Sequence, residues 1–173
     1  RGGGGMGART IAWGPGKIPA GTETDAVTGM FDILPTFAAL AGAPTPADRK
    51  LEGANIWPHL AGTPDAEPAH KTFYYYWGLR LNAVRHGDWK LQIAMGNKAG
   101  PDADTFKPKL YNLRTDIGEE NDVADANPEI VARLQSLVAA TKDDLGLDDI
   151  TPVCRELGLV ENPKPLIPHD EKK

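Results

Sequence analysis

Cysteine is nearly missing from this chain. Cys154 stands alone among 173 residues, which excludes an intramolecular disulfide and any zinc set built on several cysteines. Histidine is scarce as well: of His59, His70, His86 and His169, no two lie at metal-ligand spacing. No apolar run approaches the roughly 18 residues that a membrane-spanning helix requires. The lysines and arginines gather into no stripe, and the formal net charge is -5. A nucleic-acid surface is therefore not expected. No internal repeat is present.

What remains is a globular composition, 25% charged and 40% hydrophobic, with length for one ordinary domain and a real core. The first ten residues, "RGGGGMGART", have no apolar centre and so are not a signal peptide. Four glycines bury nothing and cost backbone entropy to order. This end reads as a cut edge, a linker or a divergent piece of a longer chain.

Residues 11–22, "IAWGPGKIPAGT", carry the punctuation of a strand end passing into a turn and loop. A helical pattern is expected from Thr24 to about residue 41, closed by Gly42 as the glycine after the helix. Within it, "FDILPTFAALAG" holds Pro35 where a helix interior should be. With Asp32 as N-cap, Pro35 falls in the first turn, where backbone N–H groups have no intrahelical acceptor. The stretch then reads as a break with a restart, a short helical turn before Asp32 and an apolar helix of Ile33, Leu34, Phe37, Leu40 and Ala41 after it. Residues 43–71 read as an irregular connection, with Trp57 and Leu60 expected to pin it to the core.

From residue 72 the period changes. "TFYYYWG" (72–78) is a strand signal, "LNAVRHGDWKLQI" (81–93) a hairpin turning near His86-Gly87-Asp88, and "PKLYNL" (108–113) one more short strand. Sequential strands with short links pair antiparallel, which predicts a sheet of about four. Helix 127–145 opens on Asn127 as N-cap with Pro128 at its first position. Its stripe of Ile130, Val131, Leu134, Leu137, Val138 and Leu145 needs a partner, and the sheet is the large one available. The tail 146–173 is proline-rich and expected to be extended. The fold class expected is α+β: the small antiparallel sheet packed on the C-terminal helix, with a second helix and long loops.

Several side chains carry chemistry by type. Arg80 and Arg85 flank the aromatic strand, and a guanidinium fork suits an anionic ester. Tyr74, Tyr75, Tyr76 and Trp77 could stack on a ring, or pack one face under the helix and the other against a larger domain. His86 sits at a hairpin tip, as a solvated turn or a substrate contact. Asp143, Asp144, Asp148 and Asp149 lack the ligand alternation of a calcium loop. Asp116, Glu119 and Glu120 cap or brace a turn after the last strand.

Six stretches in order, between residues 11 and 140, resemble the C-terminal third of an arylsulfatase-type sulfatase. They are "WGPGKIPAGT", "FDILPTFAALAG", "LEGANIWPHLAG", "FYYYW", "AVRHGDWKL" and "KLYNLRTDIGEENDVA". The resemblance implies an alkaline-phosphatase-like fold and sulfuric ester hydrolysis by the whole enzyme. It implies a calcium ion and a formylglycine made from a C/S-x-P/A-x-R motif, both upstream of the region resembled. Cys154 lies in "PVCRELG", which lacks that motif, so neither a catalytic nor a metal residue is assigned to this chain. Residues 1–23 then correspond to the edge of an upstream α/β domain, 24–145 to the C-terminal region and 146–173 to a tail. The partner implied is the upstream catalytic domain, with a sulfate ester as the substrate of the whole. The substrate-rim candidates are Trp77, Arg80, Arg85 and His86. The resemblance favours a periplasmic or secreted protein. The alternative is a non-catalytic binding or interaction module of the same descent.

Overall fold

The computed structural model describes residues 10–48, 50–78, 80–96 and 106–145. The expectations for the first nine residues, for Asp148, Asp149, Cys154 and His169, and for the tail 146–173 lie outside them. The chain divides into two compact units, Arg1–Leu137 and Val138–Lys173. Of the second, the described part is the final turns of one helix.

Helical structure begins later than the sequence pattern predicts. A single 3-10 turn, Met30–Asp32, leads into α1, Ile33–Leu40. Residues 24–29 are not helical. The Thr24 hydroxyl accepts the Ala26 N–H at 3.2 Å, a local bond that competes with the helix. Gly29 is extended at φ -139, ψ 167. Pro35 occupies the third position of α1, where its missing N–H forfeits nothing. At the other end Gly42 has φ +65, with Gly42 N–H on the Ala39 carbonyl at 3.2 Å and Ala43 N–H on the Ala38 carbonyl at 2.9 Å. That is a Schellman ending, and it requires the left-handed residue that glycine supplies without strain.

The long connection contains one short helix, α2, Trp57–Leu60. It is Ile56 that is buried, while Trp57 and Leu60 are only half-buried. Ile56 joins them on the inner side, its N–H donating to Thr36 Oγ1 at 3.0 Å.

Four antiparallel strands follow as a meander: β1 Thr72–Trp77, β2 Arg80–His86, β3 Trp89–Gln92 and β4 Lys109–Asn112, in spatial order β1-β2-β3-β4. The β2–β3 hairpin turns through Gly87 and Asp88. Gly87 has φ +59 at the first loop position, where two-residue hairpins favour glycine. Cross-strand partners share a face. One face carries Val84, Leu91 and Leu110, all fully buried, with Tyr74 opposite Val84. The Tyr74 hydroxyl donates to the Leu137 carbonyl at 3.4 Å in α3, Pro128–Leu145, and Leu134 of that helix is fully buried. The other face carries Phe73, Tyr75, Arg85, Ala83, Lys90 and Tyr111. The outer edge of β4 is closed by a side chain: Leu110 N–H donates to Asp122 Oδ1 at 3.1 Å, and Val123 N–H to the Leu110 carbonyl at 2.9 Å. Asn127 precedes α3, its carbonyl accepting from Ile130 and Val131, while its side-chain amide donates to the Val123 carbonyl at 2.9 Å.

Candidate functional site

Asp32 does more than sit before α1. No side-chain cap bond is formed. Instead the carboxylate, fully buried, turns back to accept Gly29 N–H at 2.7 Å and across to accept Ala54 N–H at 2.8 Å. His70 Nε2 approaches Oδ1 at 2.7 Å. A carboxylate oxygen accepts, so Nε2 carries the proton in this network. Phe31 and Phe73 stack at 5.8 Å, with the His70 imidazole edge-on to both at 5.3 and 6.2 Å. The acceptor capacity of Asp32 is committed to the fold. This hub clamps α1, the 53–56 segment and the start of β1.

Thr36 repeats the pattern one turn later, accepting Ile56 N–H while almost wholly buried. α1 is therefore inverted. Over the 3-10 turn and α1 together the polar side chains Asp32 and Thr36 are buried, and Met30, Phe31, Ile33, Leu34, Phe37 and Leu40 are exposed, Phe37 to 62%.

The second cluster lies on the far face of the sheet. Lys90 is buried on β3, its Nζ 2.6 Å from Glu119 Oε1 and 4.7 Å from the centre of the Tyr75 ring. Burial pushes the Tyr75 phenol up, against the pull of the Arg85 guanidinium. Glu119 reaches Lys90 from a left-handed conformation, φ +56, held by its neighbours. Asp116 accepts N–H groups of Glu120 at 3.0 Å and Asn121 at 2.8 Å. Lys90→Met leaves Glu119 without its cation and is expected to cost about 3 kcal/mol, the low end for removing one partner of a buried pair. Adding Glu119→Gln should recover most of that loss in urea titrations of both variants. If the double variant is no better than the single one, the pair is not the source.

The Asn121 and Glu120 N–H groups hold the Asp116 carboxyl below its ordinary 3.8. A group depressed in the folded state stabilises above its unfolded value and loses that contribution as pH falls through the folded one. The gap in stability between the parent and Asp116→Asn should therefore be constant near neutrality and shrink below about pH 4. A gap that widens with acid would contradict the assignment.

The four rim candidates are not brought together. Trp77 faces Arg80 across the β1–β2 end, while Arg85 and His86 lie at the opposite end of β2. Arg80 and Arg85 are about 17 Å apart along the strand. At the second end, Arg85 Nε donates to the Gly87 carbonyl at 2.9 Å and His86 Nδ1 shares a bond with Thr72 Oγ1 at 2.8 Å. At the first, Trp77 is 58% exposed. Sequence reasoning missed Asp32–His70 and Lys90–Glu119. The one available signal was a lysine on the aromatic face of the alternating strands, in register with Tyr111. Among the described residues, no three His, Cys, Asp or Glu side chains form a metal set.

A family model described as the C-terminal region of aryl-sulfatase matches residues 68–162. Arylsulfatase G of Rattus norvegicus is 26% identical over 178 residues, covering 87% of this chain and 33% of that protein. N-acetylgalactosamine-6-sulfatase of Canis lupus familiaris is 36% identical over 87 residues, 50% of this chain and 16% of that protein. The crystal structure of Ps i-CgsB superposes with a TM-score of 0.57 at 27% identity, over 75% of this chain and 27% of that one. The chain spans a third or less of the length of these proteins.

Proposed function

The chain belongs to the aryl-sulfatase family as its C-terminal region, and we propose that it serves a sulfuric ester hydrolase as a docking and rim-forming part. The observation that carries this reading is the inverted α1. A turn and helix, Met30–Leu40, that bury a carboxylate and a hydroxyl while presenting six apolar side chains to water are built to be covered. The upstream α/β catalytic domain is the occupant this family implies. Charged residues are normally what a surface helix shows to solvent. Here Asp32 and Thr36 are spent on holding α1 down, which leaves its apolar side for the larger domain.

Formylglycine would supply the nucleophile and calcium the positive charge against the sulfate. The reading assigns both groups to the upstream region. The substrate is a sulfate ester, met by this chain only at the rim. A chromogenic aryl sulfate with calcium tests the reading. The 173 residues alone should give no turnover, and the longer protein should turn over. Leu34→Glu with Phe37→Lys on the exposed face should lower that turnover to background while the circular dichroism of the 173-residue chain is unchanged. Turnover by the chain alone, or full activity of the doubly charged variant, would overturn the proposal and favour an independent module.

A further inference from the structure

Phe31 belongs to two surfaces at once. It is 44% exposed among the apolar side chains of the turn and α1, and its ring also stacks on Phe73 of β1 at 5.8 Å. From there the packing continues along the strand. Residues two apart share a face, and the Phe73 ring meets the Tyr75 ring at 5.2 Å. Tyr75 then reaches past its own neighbour. Its cross-strand partner on β2 is Ala83, yet the cation over its ring is Lys90 of β3, 4.7 Å from the ring centre. Adjacent strands lie about 4.8 Å apart, so a β1 ring meets a β3 ammonium only by lying across β2. Ala83, buried and carrying a single methyl, leaves that path open.

The far end of this row is a turn under strain. Lys90 closes on Glu119 at 2.6 Å, their side chains 7% and 11% exposed. Glu119 itself holds φ +56, a region that a residue with a Cβ enters only at a cost in energy. The turn therefore has a relaxed backbone alternative that the ion pair opposes. Whatever steadies Lys90 favours the left-handed state, and the Tyr75 ring beneath its ammonium does so.

Resting on the docking reading and going beyond it, we propose that Phe31, Phe73, Tyr75 and Lys90 form a ladder coupling cover of the α1 face to the conformation of the Glu119 turn. A domain seated on that face fixes the half-exposed Phe31 ring. Phe73, Tyr75 and the ammonium are then fixed in succession, because each packs on the one before. The coupling is reciprocal. Releasing Glu119 loosens the seat of Phe31, and with it the surface offered for docking. Assembly at α1 is thereby read out across three strands, at the turn that follows β4.

The first test is a double-mutant cycle in urea on the 173-residue chain. Phe31→Ala and Glu119→Gln should each raise the unfolding constant. Together they should raise it about fivefold less than the product of the two. Phe31→Leu, which keeps apolar bulk, should show the same sign at smaller size. Arg114→Ala removes an exposed pair with Asp88 and should simply multiply with Phe31→Ala. Ala83→Val puts a second methyl in the path of the Tyr75 ring. The Lys90 ε-methylene protons, shielded by that ring in the parent, should then move downfield, and the coupling of Phe31 to Glu119 should vanish. In the longer protein, the Glu120 and Asn121 amides, whose protons Asp116 accepts, should exchange about fivefold more slowly than in the 173-residue chain. Multiplicative behaviour of Phe31→Ala and Glu119→Gln, to within about twofold, would overturn the ladder and leave the docking reading to its aryl sulfate test. Unchanged exchange in a longer protein whose turnover depends on the α1 face would overturn it as well.

Discussion

Asp32→Ala is expected to destabilise the chain by about 3–5 kcal/mol, the range for removing one partner from a buried charged network. The carboxylate is fully buried and accepts from Gly29 N–H, Ala54 N–H and His70 Nε2. Its loss leaves two backbone donors and an imidazole N–H without an acceptor in a site closed to water. Asp32→Asn is a sharper probe. It keeps one oxygen, but its amide nitrogen must face a donor, so it should recover only part of the loss. His70→Ala removes one of three donors and leaves both backbone bonds intact, so its cost should be clearly smaller. Urea unfolding of the three variants gives the order Asp32→Ala, then Asp32→Asn, then His70→Ala. A cost below about 1 kcal/mol for Asp32→Ala would mean that the carboxylate is not the centre of the clamp.

Gly53→Ala is the second large effect, about 2–4 kcal/mol as for overpacking against a rigid wall. A Cβ at Gly53 would lie 2.0 Å from the Phe31 carbonyl oxygen and 2.8 Å from its carbon. Those atoms belong to the backbone of the 3-10 turn and cannot rotate aside. The segment must then retreat, and with it the next residues, whose N–H groups reach Asp32 and Thr36. Gly29→Ala is the control. Its Cβ would meet the Phe31 ring at 2.6 Å, a side chain that can turn at the expense of its stack on Phe73. Gly53→Ala should therefore lower the urea midpoint more than Gly29→Ala. The reverse order would show that the close approach is not rigid.

The strands were legible because alternation and turn glycines are local properties. β1, β3 and β4 stand within about a residue of their expected bounds, while β2 extends further towards Arg80. α3 follows its stripe: positions 130, 131, 134, 137 and 138 are less exposed than 132, 133, 135 and 136. The resemblance carried Pro35, Gly42 and the "EG" pair as landmarks, but not their reasons. Asp32 read as an N-cap because sequence shows the helix it precedes and not Ala54 or His70, which are 22 and 38 residues away. Thr24–Gly29 read as helix because periodicity does not register a hydroxyl that has found a closer partner. The rim candidates were chosen by side-chain type, and only strand register separates Trp77 and Arg80 from Arg85 and His86.

The meander joins each strand to the next, so its pairings close two-residue turns and one longer link, 93–108, whereas the clamp on α1 waits for residues further along the chain. Closing a loop costs more entropy as its length grows, and local contacts form sooner. The sheet is thus expected to assemble first, with α1 seated afterwards when Asp32 meets His70. During synthesis Asp32 emerges 38 residues before its partner, so α1 carries its apolar side unplaced for that interval. Any upstream domain already folded by then would be free to receive it.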